Sequence, residues 1–130
     1  MHPIIHLAIP CRDLDETQNF YNSRLGFKLA RRYDDRVTFD FFGAQLVCHL
    51  APEKCDSSPQ FYPRHFGATF SGRDEFLMFH KLILERKVPL YVEISDRFQE
   101  MVERHQYFAI TDPSNNVLEC KYYEDKRMIY

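Results

Sequence analysis

Glu119 stands in the run NVLECKYY, among Val117, Leu118, Cys120, Tyr122 and Tyr123, residues suited to a buried or half-buried strand. A carboxylate in such a run is costly unless something pairs with it. Three histidines occupy comparable places: His6 in IIHLAIP, His49 in AQLVCHLA and His65 in HFGATFSG. Imidazole nitrogens and a carboxylate are donors that hold divalent transition metals. Histidine also moves protons near neutral pH. Taken singly, each residue has a plainer reading. A strand histidine is more often an ordinary core or surface side chain than a ligand, and Glu119 could pair with Lys121 on its own strand. His2, His80 and His105 lack even this setting, and His80 is predicted to face solvent from a helix. The case for chemistry depends on the elements that carry the four residues.

The run from Ile4 to Pro10 alternates as a first strand. Asp13 can cap the next element, and LDETQNFYNSRLG places Leu14, Thr17, Phe20, Tyr21 and Leu25 near helical spacing, with Gly26 as the stop. FKLARRYD and RVTFDFFG alternate as strands. Gly43 turns the chain, and AQLVCHLA returns as a fourth strand with Gln45, Val47 and His49 on one face. PEKCDSSPQFYPR, rich in Pro and polar residues, is a linker. The order then repeats: strand HFGATFSG, helix RDEFLMFHKLILERKV, strands PLYVEISD and RHQYFAITD, turn DPSNN and strand VLECKYY. In that turn Pro113 pre-sets φ and Asn116 is the candidate for positive φ.

The openings HLAIPCRD and HFGATFSGRD support the repeat: each begins with His in a strand and meets Arg-Asp before a helix. The chain therefore reads as one α+β domain over 1–130, with module one at about 1–51, a linker at about 52–64 and module two at about 65–130. Each module is βαβββ. A single four-stranded module has open edges and a one-sided core. Two side by side predict a curved eight-stranded mixed sheet around a cavity, on whose inner face His6, His49, His65 and Glu119 meet.

HLAIPCRDLDETQNFYNSRLGF at one end and FAITDPSNNVLECKYY at the other resemble the vicinal oxygen chelate superfamily, which includes glyoxalase I, methylmalonyl-CoA epimerase, extradiol dioxygenases and bleomycin-resistance proteins. DFFGAQLVCHL and HFGATF are similar to a bacterial subgroup described as dioxygenase-like. One departure is Asn115, where the family usually has Gly; Asn tolerates left-handed backbone. The resemblance implies that the metal ligands come from the first and last strands of each module: His6 and His49, then His65 and Glu119. Its dioxygenases use the two module-opening histidines and the final glutamate, here His6, His65 and Glu119, with His49 a fourth ligand or an acid/base group. It implies one divalent metal ion, Fe(II) first, with nickel, zinc or manganese as alternatives, and a homodimer. The implied function is a metal-dependent enzyme acting on a small vicinal-oxygen substrate, nearest to the dioxygenase type. A glyoxalase- or epimerase-type isomerase and a metal-free binding protein of the bleomycin-resistance kind are the alternatives, and His49 where a carboxylate base would stand weakens the isomerase.

Around these ligands, Gln45 shares the face of His49, and Phe108 is placed to wall the cavity. Arg97 and Lys121 are placed to attract an anionic substrate, with simple solvation the competing reading. The balance of 17 Lys and Arg against 19 Asp and Glu, a net charge of −2, gives no nucleic-acid footprint. No apolar run reaches membrane-spanning length. MHPIIHLAIPCRD lacks a basic n-region and a small-residue cleavage site, so the cytosol is the expected compartment. Cys11, Cys48, Cys55 and Cys120 form no C-x-x-C pair, which argues against a zinc knuckle and, in that compartment, against disulfides.

Overall fold

A computed structural model describes residues 1–130 and contains eight strands and two α-helices. The strands are β1 (His6–Cys11), β2 (Lys28–Arg32), β3 (Arg36–Phe41), β4 (Ala44–Leu50), β5 (Phe66–Phe70), β6 (Leu90–Arg97), β7 (His105–Thr111) and β8 (Val117–Tyr123). The helices are α1 (Leu14–Gln18) and α2 (Arg73–Glu85). The strands form two four-stranded mixed sheets, ordered β1-β4-β3-β2 and β5-β8-β7-β6, and neither closes. In each, the opening strand lies parallel to the last strand of its own module and the other pairs are antiparallel. The fold class is the α+β, twice-repeated βαβββ arrangement expected from the sequence.

The chain divides into two compact units, one comprising Met1–Pro59 with Asp112–Asn116, the other Gln60–Thr111 with Val117–Tyr130. In the first unit, Asp13 caps α1 as predicted, its Oδ1 accepting from the Glu16 amide at 2.8 Å. The predicted single helix changes character at Asn19. Asn19–Arg24 is π-helical, with the Leu25 amide donating to the Phe20 carbonyl at 2.9 Å, and Gly26 ends it at φ 83. The wider turn buries Phe20 and Tyr21 together, and the Tyr21 ring meets Phe39 of β3. Val37, Phe39, Leu46 and Cys48 complete this core.

The Asp112–Asn116 turn belongs to the first unit through a buried carboxylate. Asp112 accepts from the Tyr21 hydroxyl at 2.7 Å, from the Asn116 side-chain amide at 2.8 Å, and from the Ser114 and Asn116 backbone amides at 2.9 Å. The positive φ falls on Asn115, at 67°, rather than on Asn116, whose side chain donates to the Pro10 carbonyl instead. In the second unit α2 stops at Glu85, short of the predicted end, where Lys87 turns into left-handed backbone at φ 54 and the Val88 amide donates to the Ile83 carbonyl at 3.0 Å. Phe76 and Ile83 are its buried stripe, and Phe76 lies 5.4 Å from Phe108, centre to centre. His80 does not face solvent as predicted: its ring stands edge-on to Phe108 and its Nε2 is buried without a hydrogen-bond partner.

Candidate functional site

The alternation of β8 sends Leu118, Cys120 and Tyr122 toward α2 and Val117, Glu119 and Lys121 to the opposite face, as the Phe76–Tyr122 ring contact shows for the helix side. Glu119 is therefore a core carboxylate on the face without a helix, its side chain 3% exposed. Lys121 Nζ lies 3.4 Å from its Oε1, and His65 Nε2 lies 3.7 Å from its Oε2. Oε2 itself has no hydrogen-bond partner.

The reason lies in the histidine. His65 Nδ1 is 2.8 Å from the Phe61 carbonyl, which can only accept, so Nδ1 carries the proton. In the neutral ring Nε2 is then a bare acceptor, and it faces the bare carboxylate oxygen. Two lone pairs at 3.7 Å repel unless a proton or a cation stands with them. A carbonyl on the far nitrogen is also how proteins orient a metal-binding histidine. The residues present thus fit a divalent cation, with His65 Nε2 and Glu119 as donors. They line a recess of about 210 Å³ whose other walls are Phe66, Gly67, Ala68, Thr69 and Lys121.

Gly67 makes this geometry possible. It is the ladder partner of Glu119, and a Cβ built on it would fall 1.7 Å from the Glu119 carbonyl oxygen. Only glycine permits that approach. The sequence reading passed over Gly67; the one clue was a glycine two residues after a strand-opening histidine.

In the first unit His6 is exposed and its Nδ1 lies 2.8 Å from Gln45 Oε1, across the β1–β4 ladder. This arrangement again leaves Nε2 free. His49 lies four residues further along β4, exposed, opposite Pro10 and Arg36. Register explains the difference. With His6 matched to His65, the parallel ladders match Gln45 to Val117, Val47 to Glu119, Cys48 to Cys120 and His49 to Lys121. Val47, not His49, thus stands at the place that corresponds to Glu119. Within neither unit do three His, Cys, Asp or Glu side chains gather closely enough to hold a metal ion.

Among the residues predicted to touch substrate, Lys121 lines the recess and Gln45 holds His6. Phe108 does not wall it. Strand alternation turns Phe108 to the α2 face, where it is fully buried against Phe76 and His80. Arg97 pairs with His105 at the end of β6 and stacks on Tyr107. All four cysteines are free, and burial pushes the Cys120 thiol up to about 12. No helix is long and apolar enough to cross a membrane.

No curated protein is detectably similar to the chain. Among solved structures, a glyoxalase/bleomycin resistance protein/dioxygenase from Alicyclobacillus acidocaldarius is 53% identical, with a TM-score of 0.96, over 98% of this chain and 96% of its own. A lactoylglutathione lyase from Agrobacterium tumefaciens (18% identical, TM-score 0.69, 92% of each chain) shares the fold. So does the fosfomycin resistance protein FosX from Listeria monocytogenes (13% identical, TM-score 0.75, 99% of each chain). The family model described as Glyoxalase/Bleomycin resistance protein/Dioxygenase superfamily matches residues 4–120. With the twice-repeated βαβββ architecture, that match assigns the chain: it belongs to the glyoxalase/bleomycin resistance protein/dioxygenase superfamily.

Proposed function

We propose that the protein is a mononuclear, divalent-metal-dependent enzyme acting on a small substrate with two adjacent oxygens, of the dioxygenase type. The observation that carries this reading is the buried, unpartnered Glu119 Oε2 facing the bare Nε2 of His65 at 3.7 Å. Glu119 and His65 hold the ion. His6, whose Nδ1 is engaged by Gln45 in the same manner, is the proposed third donor, from this chain or a second copy. When bound, the ion supplies Lewis acidity and, if it is Fe(II), oxygen chemistry.

The chain's own side chains do the rest. The Phe61 carbonyl fixes the His65 tautomer, so that ring cannot rotate into a donor toward the substrate. Lys121, 3.4 Å from Glu119 Oε1, sets an ammonium beside the recess, where it can stabilise an oxyanion on the substrate. His49, exposed on β4, is the proposed proton-transfer group. The four free thiols fit a reducing cytosol. A homodimer is proposed as well, and sedimentation showing a monomer at micromolar concentration would remove it.

The test is metal content of the purified protein by mass spectrometry, wild type beside Glu119→Ala. Near-stoichiometric metal in the wild type and its loss in the variant are expected. Oxygen uptake with a panel of catechols then checks the dioxygenase reading, and turnover of methylglyoxal with glutathione would favour the isomerase. One observation favours a second reading, a metal-free binding protein: Lys121 partly neutralises Glu119 without an ion. That reading leads if no divalent metal binds after reconstitution.

A further inference from the structure

The second unit carries a cation with no carboxylate to neutralise it. Arg97 is half-buried on β6, and the groups that act on it are tyrosines. Its Cζ lies 3.9 Å from the centre of the Tyr107 ring and 5.7 Å from that of Phe61, and the Tyr107 and Tyr62 side chains both act on it. Phe61 is the residue whose carbonyl fixes His65, and its ring lies 4.8 Å from the His65 ring. Tyr107 is the ladder partner of Lys121, which touches Glu119. One aromatic ring therefore separates the guanidinium from the proposed metal-holding pair.

Stacking uses the faces of a guanidinium and leaves its in-plane N–H groups for other partners. Attraction to aromatic rings steadies the cation without cancelling its charge. A flat guanidinium fork has five N–H groups, more than two tyrosines use, and matches the two oxygens of a carboxylate. Asp96 and Glu93 on the same strand are both exposed, and neither forms an ion pair with it.

We propose that Arg97 is the receptor for a carboxylate on the substrate. The substrate class is then a small carboxylic acid whose far end carries the two adjacent oxygens. Only that far-end assignment rests on the metal reading above. Phe61 and Tyr62 serve both ends, orienting His65 through the backbone and holding Arg97 through the side chains.

The probes are 3,4-dihydroxybenzoate and its amide, with benzoate and benzamide as a pair lacking chelating oxygens. Binding is measured by calorimetry to wild type, Arg97→Gln and Glu119→Gln, each first checked by thermal melting. The wild type should prefer each carboxylate over its amide by about ten- to a hundredfold, the range for a hydrogen-bonded charge. Arg97→Gln should abolish that preference, weakening each carboxylate ligand far more than its amide. Glu119→Gln should weaken both dihydroxy ligands equally and keep the preference. A wild type without the preference, including one that binds neither ligand, overturns the proposal, as does an Arg97→Gln variant that retains it. If the protein binds no metal yet prefers benzoate through Arg97, the metal reading falls and the receptor stands. If metal binds and the preference is absent, the receptor alone falls.

Discussion

Replacing Glu119 by Gln should make the metal-free protein more stable while abolishing its response to metal. A buried acceptor left without a donor costs about 1–3 kcal/mol. Glu119 Oε2 is such an acceptor, and the Lys121 ammonium, 31% exposed, offsets no more than about 1 kcal/mol of that through Oε1. A glutamine amide can donate to His65 Nε2, which the Phe61 carbonyl keeps as an acceptor. Facing lone pairs become a donor and an acceptor. The net gain is about 1–2 kcal/mol, which in a domain of this size raises Tm by about 3–10 °C. Metal at about a hundred times its Kd should stabilise the wild type by about 2.7 kcal/mol and the variant hardly at all, so the order of stability reverses on loading. Urea denaturation with chelator, then with manganese or nickel, measures both. A metal-free Glu119→Gln protein less stable than the wild type by more than about 1 kcal/mol refutes the reasoning, because Glu119 would then be a structural partner of Lys121 and His65. A stabilising replacement that removes function is the expected signature of a strained site.

Gly67→Ala sets a Cβ 1.7 Å from the Glu119 carbonyl, so β5 must shift away from β8. A loss of about 2–4 kcal/mol in denaturant midpoint with unchanged slope, together with weakened metal binding, is expected. Tyr21→Phe removes the 2.7 Å bond to buried Asp112 and should cost about 1–3 kcal/mol. Burial raises the Asp112 carboxyl above its ordinary 3.8, against hydrogen bonds from Asn116 and Tyr21 that lower it. The folded state therefore holds this proton longer than the unfolded chain, and the Asp112 contribution to stability falls as pH rises through that window. Tyr21→Phe should widen the window upward, which carbon-detected NMR titration of Asp112 reads directly. Alkylation of the native protein at pH 8 should label Cys55, half-buried, ahead of Cys48 and Cys120, whose thiols burial holds well above their ordinary value; peptide mass spectrometry checks the order.

Much of the fold was legible in the chain itself, because its signals are local. Strand alternation, the Asp13 cap, the Gly26 stop and the repeated His-to-Arg-Asp openings each depend on a few neighbouring residues. The π-helical stretch at Asn19–Arg24 was not legible. It is set by the burial of Phe20 and Tyr21 and by Asp112, which waits 91 residues away.

The site divides the same way. Sequence alone identified Glu119 as a carboxylate out of place and His65 as a strand-opening histidine, since polarity pattern is a one-dimensional property. Only the tertiary structure brought them to 3.7 Å, tied His65 to the Phe61 carbonyl and required glycine at position 67. Pairing register decided the rest. A shift of one residue turns a side chain to the opposite face of a sheet, and a shift of two moves it along the strand. Strand alternation sent Phe108 to the helix side, and register put Val47 rather than His49 in the place that matches Glu119. The parallel pairings β1–β4 and β5–β8 join strands distant in sequence, so no run of neighbouring residues encodes their register.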